Sequence, residues 1–171
     1  GPALRFSEVW QNSGKRAELE TQQVLLVLPI VNSEIRYMVD LVEAAIENLS
    51  ELERAQIKLP ILVKPHPSHT KSQLEDIVGG SLSSEFEVVS GRLSEFLGKT
   101  SVMIGNNSSA CLEAIVEAIP VIILANPSGI LENPIPESIP DRLWEVCYSP
   151  EEVARSVSEF VSDQRQSTEE D

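Results

Sequence analysis

Four short runs constrain this chain more than anything else: QVLLVLP at residues 23–29, ILV at 61–63, VMI at 102–104 and VIIL at 121–124. Each is apolar at consecutive positions rather than at alternate ones. A strand with one wet face alternates, and a strand buried on both faces does not. Helix-period segments separate the runs. Residues 33–49 carry Ile35, Met38, Val39, Val42, Ala45, Ile46 and Leu49 at helical spacing, a single buried stripe. Strands alternating with helices, and buried on both faces, predict a parallel sheet covered on both sides.

The rest of the chain fits that plan. Residues 72–78 read as a short helix stopped by Gly79-Gly80. A third strand is expected at 86–89, a helical turn at 92–97, a helix at 108–118 and a sixth strand at 144–148. Ser149, Pro150 and Glu152 form a helix-start signal, and Val153, Val157, Phe160 and Val161 follow as its buried stripe. Residues 126–140 hold four prolines and one glycine, so they read as a long loop. The expected fold class is α/β: a Rossmann-like three-layer α/β/α sandwich with a mainly parallel sheet of about six strands. The expected division is a lead-in segment and linker at 1–22, one domain at 23–162, and a disordered acidic tail at 163–171. Gly1-Pro2 reads equally as a protease-cleavage scar or as native sequence.

Bulk composition narrows the function classes. The 171 residues carry a net charge of −14, which argues against nucleic acid as a partner. Much of the acidity sits in ENLSELE and in the tail, where a solvated face accounts for it. Two cysteines, Cys111 and Cys147, lie in apolar contexts and read as core thiols of a cytoplasmic protein rather than as a disulfide scaffold. No apolar run approaches the roughly 18 residues of a membrane span. Two histidines without cysteine or carboxylate at ligand spacing make a poor metal site, so no metal is expected. The motifs GxSxG, GxxxxGKS and GxGxxG are absent.

Ligands of such sheets bind outside the carboxyl ends of the strands. Two chemistry-bearing segments fall there. KPHP (residues 64–67) closes the second strand, and GNNSSACLEA (residues 105–114) follows the fourth. In the first, prolines on both sides hold His66 in extended backbone. His66 can donate to a phosphate oxygen, and Lys64 places a second cation at the same edge. His69 reads as a surface residue. In the second, Gly105 permits a tight turn, while Asn107, Ser108 and Ser109 can cap a helix whose free N–H groups favour an anion. Glu113 lies one turn on, within reach of a ribose hydroxyl. Taken alone, the serines serve equally as a simple N-cap and Glu113 as a first-turn acid.

KPHP, then a strand, two serines, a helix containing E-A, and P-V-I: in this order the segments resemble the C-terminal half of two-domain GT-B glycosyltransferases. The likeness is greatest to the bacterial surface-polysaccharide group with an HP motif and a paired-serine motif, which includes sialyltransferases and Kdo transferases using CMP-sugars. CDP-glycerol glycerophosphotransferases are similar in the same two places. The resemblance spans Val24 to Phe160. It implies that His66 and Pro67 form the HP motif, with His66 contacting the donor phosphate and assisting its departure. It implies that Ser108 and Ser109 bind the same phosphate at the helix N-terminus, with Glu113 near the ribose; Lys64 and Asn107, read from their own positions, stand beside that phosphate. It implies a nucleotide-sugar donor, no cofactor and no metal.

Two departures bear on this. Relatives usually carry Gly before the x-P-V strand, where this chain has Ala118-Ile119. The N-terminal acceptor-binding domain is missing from this chain, so the isolated domain is expected to be inactive, and any peripheral membrane association would come through that missing part. The alternatives are a CDP-glycerol or UDP-sugar transferase domain, a sugar-nucleotide epimerase half, and a non-catalytic GT-B-like interaction module.

Overall fold

A computed structural model describes residues 23–106, 109–125 and 139–170. Six parallel strands form one sheet: β1 (Gln23–Val27), β2 (Lys58–Lys64), β3 (Phe86–Val88), β4 (Thr100–Gly105), β5 (Val121–Leu124) and β6 (Trp144–Cys147). Their spatial order is β3-β2-β1-β4-β5-β6. The chain therefore reverses direction between β1 and β4. That reversal is the topological switch point of a doubly wound sheet, where a crevice opens at the carboxyl edge.

Helices cover both faces, giving the Rossmann-like three-layer arrangement. On one face lie α1 (Asn32–Glu47), α2 (Glu51–Gln56), α3 (Lys71–Val78) and α6 (Pro150–Glu170). Here Leu26, Val63 and Ile104 of the sheet pack on Ile35, Leu74 and Val157. On the other face lie α4 (Ser94–Leu97) and α5 (Ser109–Val116), with Leu25, Leu62 and Met103 packed against Phe96, Cys111 and Ile115. Successive strand residues feed opposite clusters, which is why the runs are apolar at every position.

The helix boundaries have local causes. Ser50 accepts from the Glu53 amide at 3.1 Å while Glu53 accepts from the Ser50 amide at 2.9 Å. This capping box starts α2 afresh, so ENLSELE is not one helix. Thr70 and Gln73 form the same box at the start of α3. Gly79 ends α3 in left-handed backbone at φ 88, with the Gly80 amide donating to the Glu75 carbonyl. At α6, the Ser149 hydroxyl accepts from the Glu152 amide, and the Glu152 carboxylate reaches the Tyr148 amide.

The end of the chain departs from expectation. Helix α6 continues to Glu170 instead of giving way to a disordered tail at Asp163. Residues 163–170 contain neither Gly nor Pro, and Gln, Arg and Glu favour helix. A helix nucleated at Pro150 thus meets no breaker. The strands also start earlier than their apolar runs, β2 at Lys58 and β4 at Thr100, because ladder pairing with β1 extends them. The lead-in segment 1–22, Asn107, Ser108 and most of the proline-rich loop (126–138) lie outside the described residues.

Candidate anion site at the carboxyl edge of the sheet

The site begins with strand register. Val27 of β1 pairs with Lys64 of β2, and the Leu28 amide donates to the Lys64 carbonyl at 3.0 Å. On the other side of β1, Leu26 pairs with Ile104, the residue before Gly105. KPHP and GNNSS thus leave the sheet on either side of β1, at the same height and the same edge. One strand separates them, so the two backbones stand about 10 Å apart, two strand spacings.

Lys64 is the most informative of the predicted residues. It follows Leu62 by two positions and so emerges on the face that carries α5. It is only 8% exposed, and its side chain makes no hydrogen bond or ion pair with any described residue. A lysine stem enclosed to this degree, with no described carboxylate at its head, is suited to an external anion.

His66 is half-buried just beyond the strand end, and Pro67 beside it is exposed. The Ser68 amide donates to His66 Nδ1 at 3.1 Å, and the Ser68 hydroxyl lies 2.6 Å from the same nitrogen. The His69 amide donates to the His66 carbonyl at 2.9 Å, closing the turn. His69 is not a plain surface residue. Its ring meets that of His66 edge-on, centroids 6.5 Å apart, and its Nδ1 is buried without a partner among the described residues. Ser68 is the residue the sequence reading missed. A serine two places after a polar side chain is a recurring source of local turn bonds, and that spacing was the available signal.

Ser109 opens α5 and is exposed; Glu113, four residues on, is exposed on the same side of the helix. Helical side chains lean toward the amino end, which carries the Glu113 carboxylate toward Ser109. The Cys111 thiol donates to the Asn106 carbonyl at 2.9 Å and ties the first turn of the helix to the end of β4. Gly105 behaves differently from expectation. Its φ is ordinary, and a methyl group there would meet Cys111 Sγ at 3.4 Å and the Val27 carbonyl oxygen at 3.9 Å, normal contacts. Neither a turn nor a close approach demands glycine at 105.

The Ala118 departure is resolved at the other end of α5. Ala118 takes the left-handed conformation itself, at φ 59. Its amide donates to the Ile115 carbonyl and that of Ile119 to the Ala114 carbonyl, both at 2.9 Å. This is a complete Schellman ending, with alanine in the glycine position. The helix therefore stops tightly and delivers the chain to β5.

Ile30 and Val31, in the loop after β1, expose apolar side chains at this edge. Among the described residues, no group of three or more His, Cys, Asp or Glu is placed to hold a metal ion. No helix among them is long and apolar enough to cross a membrane.

No protein-family model matches the chain, and no curated protein matches it. A solved structure does: the catalytic domain of cholesterol-alpha-glucosyltransferase from Helicobacter pylori. It aligns with a TM-score of 0.50 at 15% sequence identity, over 86% of this chain and 97% of that one. At that identity the likeness is one of fold alone, shared with that domain.

Proposed function

We propose that the chain is the donor-nucleotide-binding domain of a glycosyltransferase of bacterial surface polysaccharide synthesis. The favoured donor is a CMP-sugar of the Kdo or sialic-acid type. The observation that carries the reading is Lys64, a lysine with an enclosed stem and no ion pair to any described residue, on the same face and edge of the sheet as the start of α5. The shared fold with a glucosyltransferase domain supports the same class. In this reading Lys64 and the first amides of α5, with Ser108 and Ser109, hold the donor phosphate. His66 donates to it as the sugar departs, Asn107 binds the same phosphate, and Glu113 meets the ribose. Charge on the leaving phosphate is met by these groups, so transfer needs no metal. The acceptor and the general base belong to an acceptor-binding domain docked against the carboxyl edge, where Ile30 and Val31 offer an apolar rim.

A second reading, a CDP- or UDP-linked donor, is favoured by one distance. The two anchoring backbones stand about 10 Å apart, a span that suits two linked phosphates as well as it suits one. Calorimetric titration with CMP, CDP and UDP tests both readings. Binding of CMP that is lost in His66→Ala and Ser109→Ala supports the first; preference for CDP or UDP selects the second. Absence of binding at millimolar nucleotide sinks the donor-site reading and leaves an interaction module.

A further inference from the structure

We propose that Ser68 is the positioning residue that fixes the tautomer of His66, so that the imidazole meets its ligand as an Nε2–H donor. The proposal rests on the reading of His66 as a ligand of the donor phosphate and assigns the proton that reading requires.

A backbone amide can only donate. The Ser68 amide, 3.1 Å from His66 Nδ1, therefore requires a lone pair on that nitrogen. The Ser68 hydroxyl, 2.6 Å from Nδ1, rotates to donate to the same lone pair. With Nδ1 occupied as an acceptor, the neutral ring carries its proton on Nε2. That nitrogen makes no hydrogen bond with any described residue. The ring is further held by its surroundings. Pro65 and Pro67 restrict the backbone on both sides, the His69 amide closes the turn on the His66 carbonyl at 2.9 Å, and the His69 ring stands edge-on at 6.5 Å. The turn spends its local donors on Nδ1 and leaves a pre-aimed N–H at Nε2.

The consequence is chemical. A neutral imidazole with Nε2–H faces an atom that accepts, such as a phosphate oxygen. It cannot take a proton from an acceptor hydroxyl through that nitrogen. His66 is thereby assigned to the leaving-group side of a transfer, and the general base must come from elsewhere.

Nitrogen-15 NMR of the imidazoles, in the full chain at about pH 8 where histidine is neutral, tests this directly. The wild type should show His66 almost wholly as the Nε2–H tautomer. Ser68→Ala should shift part of the population to Nδ1–H, and Ser68→Thr should restore it. A His66 that carries its proton on Nδ1 overturns the assignment; a tautomer unchanged in Ser68→Ala, which keeps the amide, overturns the part given to the Ser68 hydroxyl. CMP affinity gives a second readout: Ser68→Ala should weaken it about two- to tenfold, the loss of one hydrogen bond, and Ser68→Thr should recover it. His66→Gln, whose amide overlays Nε2, should retain more affinity than His66→Asn, whose amide overlays Nδ1; the reverse order counts against the proposal. If CMP binds none of these proteins the donor reading fails, and the tautomer measurement still decides the role of Ser68.

Discussion

The Ile119 amide donates to the Ala114 carbonyl at 2.9 Å, closing α5 around Ala118 in left-handed backbone. An L-residue with a Cβ costs roughly 1–2 kcal/mol in that conformation, and glycine gives back part of the gain through its freer unfolded chain. Ala118→Gly should therefore stabilise the protein by about 0.5–1 kcal/mol and raise Tm by roughly 1–4 °C. Thermal unfolding followed by circular dichroism checks it; a lower Tm would mean that the alanine methyl makes packing contacts worth more than the strain.

Lys64 yields a prediction of opposite sign for stability and for binding. Lys64→Met keeps the length of the stem and removes a charge that no described carboxylate balances. The variant should be as stable as the wild type or up to about 2 kcal/mol more stable, while nucleotide affinity falls at least tenfold. Urea unfolding alongside a nucleotide titration separates the two effects. A strongly destabilised variant would show that Lys64 serves the fold.

Glu53 makes stability depend on pH. Its carboxylate accepts from the Ser50 amide and from the Ser158 hydroxyl, and these bonds, with the Ser50 hydroxyl beside them, hold its pKa below the ordinary 4.5. A depressed carboxylate contributes stability above its unfolded pKa and loses it as pH falls through the folded one. Glu53→Gln should lower stability at pH 7 by less than about 1 kcal/mol, since solvent screens the exposed group. The gap in Tm should close on acidification. A gap that persists well below the carboxylate range would assign the effect to packing between α2 and α6.

Cys147 is fully enclosed, and burial pushes its thiol up to about 11, against a smaller lowering by the Ser156 hydroxyl 3.5 Å away. Cys111 is equally enclosed. Neither thiol should react with a disulfide reagent in the native protein at pH 8, and both should react once it is unfolded. Rapid native labelling would contradict the packing of β6 against α6 or of α5 against the sheet.

The fold was legible because Leu25, Leu26, Met103 and Ile104 sit at consecutive positions, and only a strand buried on both faces can use such a pair. The meeting of the KPHP segment and the end of β4 at one sheet edge was legible for a related reason: strand ends carry loops, and both segments follow strand ends. What escaped the sequence depends on tertiary context or on rare local geometry. Residue type gives no reason to place Ala118 in left-handed backbone, since alanine is the strongest helix former. The enclosure of Lys64 follows from register with Val27, which pairing alone sets. The bond from Ser68 to His66 uses a two-residue spacing too common to single out. Residues 163–170 are polar enough to suggest disorder, yet contain nothing that stops a helix already begun.

The central claim is that Lys64 and the start of α5 hold a phosphate. Its most direct measurement is the affinity of cytidine against that of CMP for the wild type, Lys64→Met and Ser109→Ala, by calorimetry at low salt. The account predicts that CMP binds the wild type at least tenfold more tightly than cytidine, and that the difference shrinks in both variants. Equal affinity for cytidine and CMP, or a phosphate preference unchanged in both variants, would contradict it.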